Sequence, residues 1–499
     1  EGKVIAPVVD GRLRAYDAAT GKVLWETRVS PETQAYTIKM APRVIKGGRV
    51  IIGVSGGEYG IRGFFSAYDV QSGKLLWRFY SVPGDPSKPF EHPDLEAAAK
   101  TWSGEWYKMG GGAAVWNGMA YDPDSDIVYV GTGQPGPWTE VSRGAGDNLY
   151  ANCIVAVRGA TGKLVWYYQE VPGDDWDYDS IADLMLADLT IDGRSRRVVM
   201  HAPKDGFFYV LDSITGELIS ADPFTKVNWA TGIDRKTGRP IVNPIARYGT
   251  TAVRVMPGPA GGHVWAPWSY NPLTGLVYIP GTSGTTYSYQ ANPNYARLPT
   301  EIGPTGRGQM NMGTAYGGGG RGGAGRGNAG AGALPPAVAA ATPNGARPSN
   351  APETGPVVVP SEGTNAGPSN LPTIGPDGPT GNVLFAWDPI ARKERWRAAN
   401  AAAGPFAGGT LATAGNVVFS SVNDKLLAFR ADTGEKVLEL ATGLTQMGPP
   451  ITFQVDGRQY ITVAGGPPRA AGNTAGAPQP GHLLALVLDG KPIASEPRP

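Results

Sequence analysis

The sequence Ala15-Tyr-Asp-Ala-Ala-Thr-Gly21-Lys-Val-Leu-Trp25 determines the fold, because it recurs along the chain. Close copies run from Ala67 to Trp77 and from Ala156 to Trp166. Each copy starts with a short β-rich run, passes through Asp-x-x-Thr-Gly or a variant of it, and continues with alternating apolar residues. This pattern predicts an antiparallel β-hairpin in which the glycine adopts a positive φ.

Weaker copies of the phrase begin at Val210, Ala386 and Ala428. Units of about 40–60 residues that each supply several strands suit four-stranded blades arranged around an axis, because each blade buries its faces only against its neighbours. The sequence therefore predicts an all-β protein, a β-propeller. We expect the large aromatic residues that end the phrase to pack between adjacent blades. They are Trp25, Trp77, Trp166 and Trp396.

The composition restricts the possible partners. The 499 residues include 44 Lys and Arg against 43 Asp and Glu, which leaves no basic face for a nucleic acid. No apolar run approaches the roughly 18 to 20 residues of a membrane-spanning helix. We therefore expect no nucleic-acid partner and no membrane span.

The single cysteine, Cys153, excludes a disulfide framework and a CxxCH haem attachment in this sequence, and its apolar surroundings predict a buried, unreactive thiol.

One segment differs in composition from the rest. Residues 301–380 contain 20 Gly and 12 Pro, with Tyr316 as the only aromatic residue. They cannot bury enough apolar surface to offset the entropy of the chain. We therefore divide the sequence into a first propeller part, 1–303, a disordered insertion, 304–380, and the last blades, 381–499.

Three segments that interrupt the repeat carry a resemblance to a known family. They are Val54-Ser55-Gly56-Gly57-Glu58-Tyr59-Gly60, the run from Gly110 to Trp116 that leads to Gly131-Thr-Gly-Gln134, and Pro172-Gly-Asp-Asp-Trp176-Asp177-Tyr178-Asp179. In this order they resemble the pyrroloquinoline quinone (PQQ)-dependent alcohol dehydrogenases, over about residues 1–300 and 381–465. The resemblance implies an eight-bladed propeller of the quinoprotein type, with the quinone and one metal ion at its axis. Because the sequence begins within a blade, we expect about seven blades.

Acidic residues in these segments suit the chemistry of alcohol oxidation. An ortho-quinone that oxidises an alcohol needs a base for the hydroxyl proton and a Lewis acid on the carbonyl that accepts hydride. Asp177 and Asp179 are two residues apart, so on a strand both would face one side and could reach one ion if Glu58 converges from another blade. The resemblance implies that Glu58, Gln134, Asp177 and Asp179 are metal ligands and that Asp177 is also the general base.

The resemblance also assigns residues to the cofactor. Trp116 resembles the indole on which the quinone ring lies, and Lys204 resembles the cation that hydrogen-bonds the quinone oxygens. Lys39 stands where the family has threonine, and it either pairs with a PQQ carboxylate or fills the space. Glycines next to Ser55 allow close backbone approach to the cofactor carboxylates. The full set of expected cofactor-binding residues is Trp116, Lys204, Ser55, Gly56, Gly57, Ala114 and Lys39.

Asp179 bears on the identity of the metal. An Asp two positions after the catalytic Asp resembles the mark of lanthanide-dependent members, whereas calcium-dependent members usually carry a small residue there. A trivalent ion gains more from an additional anionic oxygen than Ca²⁺ does. We therefore expect a lanthanide, with Ca²⁺ as the alternative; if Asp179 is a solvated carboxylate at a strand end, it favours neither ion.

Two functions remain open at this stage. The first is a periplasmic dehydrogenase that oxidises a primary or secondary alcohol and passes electrons to a separate acceptor such as a cytochrome c. The second is a non-catalytic, quinoprotein-like scaffold for binding or assembly, which is favoured by Lys39 and by Gln134 in place of the family's Asn. The three acidic residues Glu58, Asp177 and Asp179 favour the enzyme, because unpaired buried charge is costly in a scaffold. The sequence specifies neither the alcohol nor the oligomeric state.

Overall fold

A computed structural model describes residues 2–32, 34–292, 312–314, 371–404, 408–466 and 481–490. Within these residues the strands form seven radial antiparallel sheets, the blades of a β-propeller. The prediction of an all-β propeller with about seven blades is therefore confirmed.

Blades 1 to 3 are built from consecutive strands. Blade 1 contains β1 (Lys3–Val8), β2 (Arg12–Asp17) and β3 (Val23–Arg28). Blade 2 contains β4 (Arg43–Ile45), β5 (Arg49–Gly53), β6 (Phe64–Asp69) and β7 (Leu75–Tyr80). Blade 3 contains β8 (Met119–Asp122), β9 (Ile127–Gly131), β10 (Cys153–Arg158) and β11 (Leu164–Gln169).

Two small sheets lie outside the blades between blades 4 and 5. Blade 4 contains β12 (Met185–Ile191), β13 (Arg194–His201), β14 (Phe207–Asp212) and β15 (Leu218–Pro223). The chain then forms β16 (Ala230–Ile233), β17 (Pro240–Val242), β18 (Val253–Val255), β19 (Ser269–Asn271), β20 (Leu276–Ser283) and β21 (Tyr287–Tyr289). β16 pairs with β17 and β18 pairs with β21, whereas β19 and β20 belong to blade 5. We call the β18–β21 pair the accessory sheet.

The remaining blades complete the described part of the ring. Blade 5 is finished by β22 (Gly381–Asp388) and β23 (Lys393–Ala399). Blade 6 contains β24 (Gly409–Thr413), β25 (Val417–Val422), β26 (Lys425–Arg430) and β27 (Lys436–Ala441). Blade 7 contains β28 (Ile451–Val455), β29 (Arg458–Gly465) and β30 (His482–Val487).

Helices are short and lie in the connections. They are α1 (Asp94–Ala99), α2 (Glu140–Arg143) and the 3₁₀ turns Gly57–Tyr59, Trp106–Met109 and Pro244–Ala246. The helices that the structure describes are too short and too polar to span a bilayer.

The strand order separates two faces of the ring. Because neighbouring strands are antiparallel, the turn between the third and fourth strands of a blade lies on one face. The connection between the second and third strands, and the crossover to the next blade, lie on the other face. The Asp-x-x-Thr-Gly turns occupy the first face. The segments that carry the candidate site residues occupy the second, which we call the site face.

The recurring glycine and tryptophan join neighbouring blades. Trp25 donates its indole N–H to the Val70 carbonyl of blade 2 at 3.0 Å. A Cβ on Gly73 would lie 2.6 Å from the Trp25 ring, so the indole packs directly on this glycine. The same contacts join Trp77 to Gly162, Trp166 to Gly216 and Trp396 to Gly434. The predicted interblade role of these tryptophans and the positive φ of the glycines, 69° to 76°, are confirmed.

One copy of the phrase lacks the glycine, and its surroundings explain the exception. Arg392 occupies the glycine position in blade 5 with a φ of 56°. The residue of blade 4 that corresponds to the tryptophan is Ser220, so no indole packs there. The Arg392 side chain instead binds the Asp222 carboxylate through two hydrogen bonds of 2.7 Å. The glycine is thus required where an indole packs on the turn.

Two further predictions concern Cys153 and the insertion. Cys153 begins β10 without exposed surface, and burial raises the pKa of its thiol well above the usual value, as a buried unreactive cysteine requires. The predicted insertion, 304–380, lies mostly outside the described residues. Of its described residues, Met312 accepts a hydrogen bond from the Trp138 amide at 2.9 Å, and Ile374 pairs with Val227.

Candidate functional site

The structure brings acidic residues from two connections into contact with one lysine. Asp177 and Asp179 lie in the crossover from blade 3 to blade 4, and Lys204 lies between β13 and β14. The Lys204 Nζ is 2.9 Å from Asp177 Oδ2 and 2.6 Å from Asp179 Oδ2. All three side chains are buried. Asp179 is therefore a buried, paired carboxylate, and the interpretation as a solvated strand-end residue is wrong.

The sequence suggested that the two aspartates lie on a strand, but the structure places them in an irregular connection. No strand covers residues 171–184, and Asp177 has a φ of 67°, in the left-handed region. The two carboxylates still reach the same ammonium group because the irregular backbone turns Asp177 towards Lys204. The prediction of a strand was wrong because the connection folds by tertiary contacts that alternation does not encode.

Glu58 and Gln134 join the same group from blades 2 and 3. The Gln134 amide Nε2 donates to Glu58 Oε1 at 3.2 Å, and its backbone N–H donates to Asp179 Oδ1 at 2.9 Å. Glu58, Gln134, Asp177 and Asp179 thus share one neighbourhood, which we call the acid cluster. In the part of the chain that the structure describes, however, no group of three or more His, Cys, Asp and Glu side chains is arranged as a ready metal site. Lys204 lies between the two aspartates instead.

The electrostatics reflect an excess of negative charge. Burial raises the pKa of the Asp177 carboxyl well above its usual range; Lys204 opposes this shift, whereas Asp179 and Glu58 add to it. Burial disfavours the charge on Lys204, but the attraction of both carboxylates outweighs it and raises the pKa of the ammonium group above its usual value. Lys204 therefore stays charged, and the cluster would attract additional positive charge.

Glycines let the backbone approach the acid cluster closely. A Cβ on Gly133 would lie 2.7 Å from Asp179 Oδ1 and 2.9 Å from the Ala114 carbonyl oxygen. Gly56 has a φ of 123°, and a Cβ there would lie 2.6 Å from the Ala35 carbonyl oxygen. Any larger residue at Gly133 would displace the Asp179 carboxylate.

Some of the expected cofactor residues border this cluster. A Cβ on Gly57 would lie 3.8 Å from the Ala114 Cβ, so these two predicted residues are neighbours. The ammonium group of the exposed Lys39 lies 5.6 Å from the centre of the half-buried Trp116 ring. Ser55 pairs with Thr37 through two backbone hydrogen bonds, while its buried hydroxyl has no partner. The connections that carry these residues all lie on the site face.

The donor atoms fit a hard cation beside a polar cofactor. Asp177 Oδ1 is buried without a hydrogen-bond partner, which is costly unless another group binds it. The carboxylate and amide oxygens of Glu58, Gln134, Asp177 and Asp179 are together an all-oxygen set, which lanthanide and calcium ions prefer. Lys204 partly neutralises this set in the absence of a metal ion.

The backbone around Asp177 is held by side chains from elsewhere in the fold. Each carbonyl oxygen from residue 172 to residue 178 accepts a hydrogen bond from a side chain. In chain order the donors are Arg247 for Pro172 and Gly173, Arg143 for Asp174, Tyr248 for Asp175, Tyr289 for Trp176, Lys204 for Asp177 and Asn152 for Tyr178. Sequence reasoning found only Lys204 among them.

Buried aspartates add to this support. Asp174 accepts the backbone N–H groups of Trp176 and Tyr178, each at 2.8 Å, and burial raises its pKa to about 6. Asp175 binds Arg247 at 2.6 Å and accepts the Glu140 N–H. The segment 172–178 is therefore fixed without belonging to any sheet.

Comparison with protein families gives a match over more than half of the chain. A model described as "Glucose/ethanol/alcohol dehydrogenase, beta-propeller domain", with the label PQQ, matches residues 30–221 and 380–461. The chain is 41% identical to the quinohemoprotein alcohol dehydrogenase ADH IIB of Pseudomonas putida, over 100% of this chain and 64% of that protein. It therefore spans slightly less than two thirds of this relative.

Solved structures give the same result. The quinohemoprotein alcohol dehydrogenase of Comamonas testosteroni superposes with a TM-score of 0.78 at 38% identity, covering 99% of this chain and 67% of that one. A europium-containing methanol dehydrogenase superposes with a TM-score of 0.71 at 29% identity, covering 94% and 72%.

Proposed function

The chain belongs to the PQQ-dependent alcohol dehydrogenase family, and from this premise we propose that it oxidises a primary or secondary alcohol to the aldehyde or ketone. The observation that carries the proposal is Asp177. It is buried on the site face, Lys204 binds its Oδ2, and its Oδ1 has no partner. A carboxylate with one free oxygen in a dry site is suited to accept a hydroxyl proton.

Asp177 is the general base in this proposal. Its Oδ1 would accept the proton of the alcohol, while Oδ2 is held by Lys204 or, when it is bound, by the metal ion. Because burial raises the pKa of Asp177, the carboxyl is a stronger base than an exposed aspartate, provided that positive charge keeps it ionised before the reaction.

The residues around Trp116 would hold the cofactor. We assign PQQ to Trp116, Lys204, Ser55, Gly56, Gly57, Ala114 and Lys39. When bound, the quinone supplies the hydride acceptor, and the metal ion polarises its carbonyl. Trp116 would provide a flat apolar surface, Lys204 a hydrogen-bond donor and Lys39 a cation for a carboxylate. The contacts of Lys204 with both aspartates and the position of Gly57 beside Gln134 and Ala114 support this assignment.

The metal ligands we propose are Glu58, Gln134, Asp177 and Asp179. We favour a lanthanide over Ca²⁺, because three carboxylates supply the negative charge that a trivalent ion requires. The superposition with the europium-containing methanol dehydrogenase supports this preference, and Ca²⁺ is the alternative. Binding would require the Lys204 ammonium to move off at least one aspartate.

The proposal extends to the partners. We propose a small alcohol as substrate, a cytochrome c as electron acceptor and the periplasm as compartment. The name quinohemoprotein, which the relatives from Pseudomonas putida and Comamonas testosteroni carry, supports a haem acceptor.

Reconstitution tests the proposed activity. The protein is loaded with PQQ and either La³⁺ or Ca²⁺, and dye reduction by ethanol and 1-butanol is followed. We expect turnover with at least one ion and a loss of about 10²- to 10⁴-fold in Asp177→Asn, which keeps the size of the side chain but not its basicity. Asp188→Asn, an exposed change in β12, is the control. Background rates with both ions and both alcohols would reject the proposal.

A non-catalytic scaffold is the second candidate, and the position of Lys204 favours it. With its ammonium between Asp177 and Asp179, the cluster is partly neutralised without any metal ion. Titration of the protein with PQQ and metal, followed by tryptophan fluorescence, separates the two functions. Stoichiometric binding would exclude a scaffold that has lost its cofactor, whereas absent binding would support it.

A further inference from the structure

Tyr289 contacts the backbone next to the proposed base. Its hydroxyl donates to the Trp176 carbonyl at 2.8 Å. This carbonyl belongs to the peptide group that precedes Asp177, so its direction determines the φ of Asp177. On the other side of Asp177, the Lys204 Nζ holds the following peptide group by donating to the Asp177 carbonyl at 2.9 Å. The two peptide planes on either side of Asp177 are therefore each fixed by one side chain.

The φ of Asp177 makes this support necessary. At 67° the backbone lies in the left-handed region, which costs a residue other than glycine free energy. Such a conformation persists only when the surroundings hold it. Rotation of Asp177 about its N–Cα bond to a negative φ would relieve the strain and would turn the carboxyl group away from Lys204.

Tyr289 is itself held rigidly. It has no exposed surface, and its ring stacks on Tyr248 with centroids 5.3 Å apart and planes inclined by 22°. In the accessory sheet it pairs with Val253. Tyr248, which bonds the Asp175 carbonyl, thus supports both the segment and Tyr289.

We propose that Tyr289 is a positioning residue for Asp177 and that the accessory sheet serves to hold the base in its strained conformation. This inference rests on the proposed function, in which Asp177 accepts the substrate proton. Tyr289 acts through the Trp176 carbonyl; among the described contacts, no hydrogen bond or ion pair joins its side chain to the acid cluster or to the cofactor residues.

The test compares Tyr289→Phe with a matched control. Tyr278→Phe also removes the hydroxyl of a fully buried tyrosine; Tyr278 lies in blade 5, away from the acid cluster, and its hydroxyl contacts Thr274 and donates to the Ala431 carbonyl of blade 6 at 2.9 Å. Hydrogen exchange of the amides in residues 173–178 is measured by mass spectrometry on the metal-free protein. We expect faster exchange in Tyr289→Phe and unchanged exchange in Tyr278→Phe, with a similar decrease in Tm for both.

Kinetics on the reconstituted protein complete the test. Tyr289→Phe should lower kcat by about 10- to 100-fold, as loss of a supporting hydrogen bond at a reactive group does, and should leave KM close to that of the wild type. Tyr278→Phe should keep the wild-type kcat.

Each outcome decides one question. Unchanged exchange in Tyr289→Phe overturns the inference, whatever the activity. Faster exchange with an unchanged kcat also overturns it, because the segment then moves without affecting the base. Faster exchange together with an inactive wild type rejects the proposed function, while Tyr289 remains the support of the segment.

Discussion

At the scale of single residues, the candidate site combines strain with excess charge. Asp177 adopts a left-handed backbone conformation that costs about 1–2 kcal/mol, and its carboxyl group is buried beside two other acids. Lys204 is the single cation that contacts both aspartates in the described structure. The excess of negative charge favours the binding of an additional cation, because a cation would relieve the repulsion among the carboxylates.

The charge of Asp179 should decide the ion preference. Asp179→Asn keeps an oxygen that can accept the Gln134 N–H but removes the negative charge. We expect activity with La³⁺ to fall about 10- to 100-fold more than activity with Ca²⁺, because a trivalent ion loses more from a missing anionic ligand.

The measurement is dye reduction across a titration of each ion, so that affinity and turnover are separated. Gln134→Asn is the companion variant, since it changes a neutral ligand by one methylene and leaves the charge unaltered. Equal losses with both ions in Asp179→Asn would contradict the lanthanide preference.

The sequence predicted which residues meet at the site better than it predicted what holds them there. Glu58, Gln134, Asp177 and Asp179 lie in motifs that resemble a family, so they could be named. The side chains that bond the carbonyls of residues 172–178 could not, because they lie as far as 113 residues from their acceptors. Arg143 and Tyr289 in particular belong to no local pattern.

At the scale of elements, the hairpin phrase could be predicted because its determinants are local. The glycine adopts its φ within the turn, and the alternating residues lie in the adjoining strands. The accessory sheet could not be predicted in this way. β18 and β21 have three residues each and are 31 residues apart between Val255 and Tyr287, so their pairing depends on long-range packing.

The contact between glycine and tryptophan gives a prediction on stability. Gly73→Ala must accommodate a Cβ 2.6 Å from the Trp25 ring at a φ of 71°. Gly275→Ala is the matched control, because its φ is 69° and nothing lies within 4 Å of the added Cβ. We expect Gly275→Ala to lower the free energy of unfolding by about 1–2 kcal/mol, from the backbone alone.

Gly73→Ala should cost about 1–3 kcal/mol more than the control, because the indole and the Thr27 hydroxyl, which also lies 2.6 Å from the added Cβ, must shift from the interblade contact. Urea denaturation followed by tryptophan fluorescence measures both variants. Equal losses would mean that the packing of Trp25 and Thr27 on the glycine contributes nothing to the interface between blades 1 and 2.

At the scale of the whole molecule, the site depends on several blades at once. Glu58 comes from blade 2, Gln134 from blade 3, and Lys204 from blade 4, with the aspartates in the crossover between blades 3 and 4. A ligand that binds all of them would join three blades on the site face. Ligand binding should therefore stabilise the ring as well as complete the chemistry.

The shift in Tm on adding metal ion should reveal this linkage. At a free La³⁺ concentration of 100 times Kd, binding to the folded state adds about 2.7 kcal/mol, which corresponds to about 3 °C for a protein of this size. Glu58→Gln removes the carboxylate of blade 2 and should abolish most of the shift. Glu217→Gln is the control, because this exposed carboxylate follows an Asp-x-x-Thr-Gly turn on the opposite face and pairs with Arg196.

The measurement is calorimetry of each variant across a La³⁺ titration. If Glu58→Gln and Glu217→Gln respond like the wild type, the ion binds surface carboxylates, and the acid cluster does not join the blades through a metal.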